Sequence, residues 1–345
     1  MSADSALPPA FRVFPLLPRT LDVAQNLKNI DLVGGWCAKH KLEGPLIFNG
    51  NDTLTEVWVI AQMLLERYGV SPLVAVNPHF MHPFTVAKMV TSFATAYQKS
   101  ICLNMITGTA LNQAEQLNDT LDHDQKYDRL LEYIEVIQQL TRNGGRPVTF
   151  EGEHYTIKEL PLNPPIDEQL LPTYFVAGHS EKALEIRDKT GATGMQMLMP
   201  DLAEAARKNG AGAIHFGIVT RETEAEARAA AKEQFPEDRR GKHMQDRSMK
   251  NTDSAWKRRL KFAAEAPDES DNGYSLSPFR NFQADCPFFV GSHAQVADLL
   301  AELATSDVNE FVLDIQLSDA EFENTSHAIK MARGKVSAAE SAAAA

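Results

Sequence analysis

Two blocks of this chain carry residue types suited to a partly apolar, phosphorylated ligand. Leu103-Asn104-Met105-Ile106-Thr107-Gly108 reads as a buried strand that ends in a polar Asn/Thr/Gly mouth. After a long loop, Asp122-His123-Asp124-Gln125-Lys126-Tyr127-Asp128-Arg129 reads as the start of a helix with His123 and Tyr127 on one face, because residues four apart are neighbours along a helix. A phosphorylated cofactor at the carboxyl end of a parallel strand suits that layout. A third block, Gly178-His179-Ser180, follows an apolar run and opens a helix; Ser180 has N-cap chemistry, and Gly178 lets the backbone approach a ligand closely.

Each residue also has a plainer reading. Asn104 and Thr107 would satisfy backbone groups of a strand-ending turn, Gly108 is a turn residue under either reading, and Tyr127 would pack on an amphipathic helix. His79 and His82, in Asn77-Pro78-His79-Phe80-Met81-His82-Pro83, lack nearby acidic ligands, so no metal site is read there and they suit a cofactor or substrate wall better. No Gly-x-Ser-x-Gly, Walker or Rossmann glycine pattern occurs.

Positioning these blocks requires a regular scaffold, and strand and helix alternate along the chain. Strands are expected at Phe11 to Leu17, Pro45 to Asn49, Pro72 to Val76, Ser100 to Met105, Thr173 to Ala177, Gly194 to Met199, Ile214 to Thr220 and Phe311 to Ile315. Helices follow each, among them Leu54 to Tyr68 behind a Thr53 cap and one from Gln295 capped at Gly291-Ser292. Val148 to Ile157 alternates like an inserted hairpin. Eight such units favour a (β/α)8 TIM barrel with insertions at the C-terminal face of the strands over an open doubly wound sheet.

A single domain over residues 1–335 is expected. Residues 235–285 are charged and proline-punctuated, either a lid over the barrel mouth or a surface decoration, and the alanine-rich residues 336–345 read as a frayed tail.

Composition narrows the functional classes. With 34 Lys+Arg against 46 Asp+Glu, the net charge of -12 argues against nucleic-acid binding. The basic run Trp256-Lys257-Arg258-Arg259-Leu260-Lys261 is a local exception, read as a solvated helix face. Three scattered cysteines, Cys37, Cys102 and Cys286, indicate neither a disulfide framework nor a metal motif. No apolar run long enough to span a membrane and no secretory signal is seen, so a soluble cytoplasmic protein is expected.

Taken in order, the blocks Leu103 to Gly108, Asp122 to Tyr127, Val148 to Tyr155, Pro172 to Ser180, Val219 to Thr223 and Phe289 to Leu300 resemble the bacterial-luciferase-like flavin-dependent monooxygenases, and within them the alkanesulfonate monooxygenase branch. The likeness spans nearly the whole chain. It implies reduced FMN supplied by a separate flavin reductase, molecular oxygen as co-substrate and a homodimer or larger homo-oligomer. It further implies that Gly178, His179, Ser180 and Tyr127 hold the phosphate, while Asn104 and Thr107 meet the flavin ring beside Gly108.

The departures fall on substrate-facing positions. No histidine-bearing loop follows the first strand, Leu54 stands where the family has a cysteine, and the Arg-x-His pair of the seventh strand is reduced to His215 near the arginine position. Arg280, in Ser277-Pro278-Phe279-Arg280-Asn281, resembles the family's mobile-loop arginine, a cation that would offset developing negative charge; the plainer reading is a surface arginine. A sulfonate substrate is therefore not expected. A small or carrier-protein-tethered substrate is, with any carrier docking among basic patches such as Lys257 to Lys261. The alternatives are a deazaflavin-dependent hydride-transfer oxidoreductase and a flavin-binding protein without catalysis.

Overall fold

The computed structural model describes residues 10–50, 56–108, 111–178, 180–252, 255–265 and 272–343. The expected cap Thr53, the site residue His179 and the centre of the expected lid, 266–271, lie outside them.

Twelve strands are described: β1 (Arg12–Pro15), β2 (Leu46–Ile47), β3 (Leu73–Val76), β4 (Cys102–Met105), β5 (Val148–Glu151), β6 (Thr156–Leu160), β7 (Thr173–Ala177), β8 (Thr193–Met197), β9 (Ala213–Arg221), β10 (Tyr274–Ser275), β11 (Phe288–Ser292) and β12 (Glu310–Asp314). Contacts group the chain into two compact units. One holds Pro15–Met195 with Asp246–Arg259, and the other Met1–Phe14, Gln196–Gln245 and Leu260–Ala345.

In the first unit, here the β2–β8 unit, parallel pairing runs β2 to β3, β3 to β4, β4 to β7 and β7 to β8. Strands β3 and β4 are buried along their whole length, as in parallel strands covered on both faces, and Asn104 is their one polar residue. Val76 lies opposite Met105, and Met105 opposite Val176. The strand ends are thus level, and the chain leaves all three at one edge, through Asn77, Ile106 and Gly178. The expected hairpin is present as the antiparallel pair β5 and β6.

Capping fixes where helices begin. Glu56 starts the helix Val57–Tyr68 by accepting the Trp58 N–H at 2.7 Å. Asp122 and Gln125 form a reciprocal capping box at the head of His123–Arg142. That helix buries Leu130, Tyr133, Ile134, Ile137 and Leu140, spaced to form one stripe. The loop expected between Gly108 and Asp122 contains a short helix, Leu111–Gln116, which buries no residue and so leaves no apolar period to read.

In the β9–β12 unit, β9 pairs in parallel with β12 through Ala213–Gly217 and with β11 through Gly217–Arg221. Strand β11 is a correction to the sequence reading, which began this region at a helix cap. Its run Phe288-Phe289-Val290 is too short and too uniformly apolar to show a period. The cap itself is real: Ser292 and Gln295 form a capping box on the helix His293–Ala304. The last helix, Asp319–Ala343, continues through the stretch expected to fray, carried by strongly helix-favouring alanines and by buried Val336.

Candidate active site

At the level edge of β3, β4 and β7 the structure gathers the residues expected to hold a cofactor. Asn104, 6% exposed, has an Oδ1 buried without a hydrogen-bond partner among the described residues. Leaving such an acceptor unsatisfied costs on the order of 1–3 kcal/mol, which a ligand N–H would recover. Thr107 is half-buried just beyond the strand. Gly108 turns the chain with φ of 78°, and a Cβ there would lie 2.5 Å from Nδ2 of buried Asn77.

The next turn is built for close approach. Gly178 has φ of 134°, and a Cβ on it would stand 3.2 Å from the Ala183 Cβ and 3.3 Å from the Tyr127 hydroxyl. The Tyr127 phenol, projecting from the first turns of its helix with its ring 5.1 Å from that of His123, therefore lies against the Gly178 backbone. Ser180 caps the helix Glu181–Thr190, its Oγ accepting the Ala183 N–H at 3.2 Å. Phenol, hydroxyl and helix N-terminus converge as an anion site requires. Asn104, Thr107 and Gly108 are thus brought to the same strand edge as Tyr127, Gly178 and Ser180.

Sequence reasoning missed an ionic cluster in this unit. Asp119 receives two Arg129 N–H donors, at 2.7 and 3.2 Å, and the His79 Nδ1 approaches the same carboxylate at 3.1 Å. Burial opposes ionisation of Asp119, but the hydrogen bonds and charge of Arg129 hold its carboxyl below the usual range. Burial lowers His79, only partly offset by Asp119. The neutral ring donates from Nδ1 and leaves Nε2, buried and without a partner among the described residues, as an acceptor. Asp119 and Arg129 are ten residues apart, which no short-range pattern flags. His82, by contrast, is occupied at a helix start, its Nδ1 accepting the Phe84 N–H at 3.2 Å.

The β9–β12 unit holds the two residues expected to take part in catalysis. His215 sits on β9 beside Val312 of β12, its Nε2 sealed from solvent and unpartnered among the described residues. Burial pushes it down to about 4, with Asp285 working in the opposite direction, so the ring is neutral at pH 7. On the paired strand, Asp314 is pushed up to about 6 by burial, with the charge of Asp285 adding and a Cys286 contact (Sγ to Oδ2, 3.9 Å) opposing. Arg280 lies on a single-turn helix, Ser277–Arg280, where its Nε donates to the Ala264 carbonyl at 2.9 Å and fastens the end of the helix Ala255–Ala264.

Comparison with known proteins decides the family. A family model described as luciferase-like monooxygenase matches residues 66–310, well over half of the chain. The protein belongs to the luciferase-like monooxygenase family. It is an enzyme, a flavin-dependent monooxygenase. A relative from Niallia circulans, 4-(gamma-L-glutamylamino)butanoyl-[BtrI acyl-carrier protein] monooxygenase BtrO, is 29% identical over 79% of this chain and 82% of its own.

Among solved structures, the oxygenating constituent of 3,6-diketocamphane monooxygenase from Pseudomonas putida, a type II Baeyer–Villiger enzyme solved with FMN, superposes with a TM-score of 0.67 at 14% identity, covering 95% of this chain and 99% of its own. A secondary alcohol dehydrogenase dependent on F420 superposes with a TM-score of 0.63 at 13% identity, covering 93% and 99%. These likenesses show the fold, a (β/α)8 barrel, as the alternation of strands and helices implied. The alkanesulfonate branch is not singled out by any of these matches.

Proposed function

We propose that this enzyme is a two-component FMN-dependent monooxygenase acting on an acyl group tethered to a carrier protein. The observation that carries the reading is the convergence of the unsatisfied Asn104 Oδ1 with the Tyr127 phenol, the open Gly178 turn and the Ser180 helix start at one strand edge. An orphaned acceptor at the same strand edge as a turn that a Cβ would fill suits a flavin. The carrier-tethered substrate follows the activity named for the Niallia circulans relative.

The division of labour follows from the side chains. Tyr127 and Ser180 would donate to the phosphate, together with N–H groups at the start of Glu181–Thr190, and His179 would join them. Asn104 would accept from a ring N–H, with Thr107 and Gly108 forming the rim. Reduced flavin, supplied by a separate reductase, brings the two electrons with which one atom of molecular oxygen enters the substrate and the other leaves as water. Neutral His215 would be the acceptor for a substrate proton, and Asp314, raised to about 6 by burial, would hold one. Arg280 would offset negative charge during oxygen transfer.

Anaerobic titration with reduced FMN, followed by oxygen and an acyl-carrier thioester, tests the proposal. It predicts saturable FMN binding and a product heavier by one oxygen atom. Preferential binding of a reduced deazaflavin, with hydride transfer and no oxygen uptake, would overturn it. FMN binding without any oxygenated product would leave a binding protein in its place.

A further inference from the structure

One segment of this acidic chain has the opposite charge. Between Arg239 and Lys261 stand nine Lys or Arg and two Asp, in a protein with 34 Lys+Arg and 46 Asp+Glu overall. The segment forms the helices Arg239–Lys250 and Ala255–Ala264, and Arg239, Arg240, Lys242, Arg247, Lys250, Arg258, Arg259 and Lys261 are all exposed. Elsewhere cations commonly sit on carboxylates, as in Arg67 with Asp31, Lys182 with Asp128 and Arg228 with Glu224. No carboxylate among the described residues is held by Arg247, Arg259 or Lys261, so their charge is turned outward. Phe262, on the same helix as Arg259 and Lys261, is 78% exposed, an aromatic surface amid the cations.

Its Asp246–Arg259 part is fastened to the helix that follows the candidate cofactor mouth in the chain. The Asn251 carbonyl accepts the Leu111 N–H at 3.3 Å, and the Asn251 Oδ1 accepts the Asn112 N–H at 2.7 Å, which caps the start of Leu111–Gln116. Only two residues separate Leu111 from Gly108. At about 3.8 Å per Cα step, Leu111 lies within roughly 11 Å of the glycine. The Asp246–Arg259 part of these helices is thus tied, through Asn251, to the helix that begins three residues after Gly108.

We propose that the cationic helices Arg239–Lys250 and Ala255–Ala264 are the docking surface for an acidic acyl-carrier protein, which presents its phosphopantetheine-linked substrate to the site. This rests on the carrier-tethered reading above and adds where the carrier binds. An acidic carrier is repelled by the rest of a chain of net charge -12 and drawn to this stretch, so encounter is steered to it. The phosphodiester of the arm adds an anion that free acyl substrates lack, and Phe262 supplies apolar contact inside a charged rim.

The test uses the full-length enzyme with fluorescently labelled, phosphopantetheinylated BtrI carrier protein, read by anisotropy, and a pantetheine thioester as a carrier-free substrate. The variant Arg247→Glu/Arg259→Glu/Lys261→Glu should weaken carrier binding by about 10-fold or more at low salt, since like charges across an interface cost several kcal/mol, and turnover of the free thioester should not change. The conservative variant Arg247→Lys/Arg259→Lys/Lys261→Arg should retain binding, and added salt should abolish the difference between reversed and native protein. Carrier binding that is absent, or indifferent to charge reversal, overturns the proposal, as does stronger binding of single-stranded RNA or of anionic vesicles. The two readings fail separately: thioester turnover without carrier binding removes only the docking surface, and charge-dependent carrier binding without oxygenated product removes only the activity.

Discussion

In the β2–β8 unit the candidate ligand positions are two glycines at positive φ, a phenol, two hydroxyls and one buried amide, whereas the β9–β12 unit carries an imidazole, a carboxyl and a thiol whose ionisation is opposed by burial, at His215, Asp314 and Cys286. The first set offers shape and hydrogen bonds whose strength hardly depends on pH. The second stores groups whose charge states are displaced by burial. A cofactor common to many reactions needs the former, while proton movements particular to one substrate need the latter.

The largest effect should come from the ionisable side. A carboxyl moved from 3.8 to about 6 on folding stabilises the folded state only while protonated: that contribution is complete below pH 3.8 and is lost as pH rises through 6. Asp314→Asn should therefore match the native protein in stability near pH 4 and exceed it by about 3 kcal/mol above pH 7. His215 acts in the opposite sense. Its lowered value means that stability is intact above pH 6.5 and lost as pH falls toward 4. Chemical denaturation across pH 4–8 reads both, and a native-like pH profile for Asp314→Asn would show that burial of this carboxyl is not what sets it.

Legibility followed how local each feature is in the chain. The strand-turn-helix blocks around Asn104 and Gly178 were readable because local rules set them: an all-buried strand, a positive-φ glycine, an N-cap. Asp119 with Arg129, Asp314 with Cys286 and strand β11 were not, because each depends on partners distant in sequence. Gly217 illustrates the limit. Nothing in the local sequence distinguishes it, but in the fold a Cβ there would run into the Phe288 ring.

Gly178 and Gly217 give the next contrast. Gly178→Ala introduces a methyl at positive φ against Tyr127 and should weaken FMN binding by about 100-fold, or roughly 2.7 kcal/mol, with a smaller loss of stability. Gly217→Ala should do the reverse, lowering stability by about 1–3 kcal/mol through overpacking while FMN affinity stays unchanged. Thermal melts and fluorescence-quenching titrations on both variants separate the outcomes. Equal loss of FMN binding in both would erase the distinction between a ligand glycine and a packing glycine.

A smaller and more discriminating change is Asn104→Leu. Removing a buried, unsatisfied amide should leave the ligand-free protein as stable as before or up to about 1 kcal/mol more stable, yet weaken FMN by about 10-fold. Loss of stability without loss of affinity would make Asn104 a purely structural residue.

The most direct measurement of the central claim is a crystal structure of the enzyme soaked with FMN. The account predicts the phosphate within hydrogen-bond reach of the Tyr127 hydroxyl and the Ser180 helix start, with a ring N–H on the Asn104 Oδ1. A phosphate bound away from Tyr127 and Gly178, with the Asn104 Oδ1 still unpartnered, would contradict it.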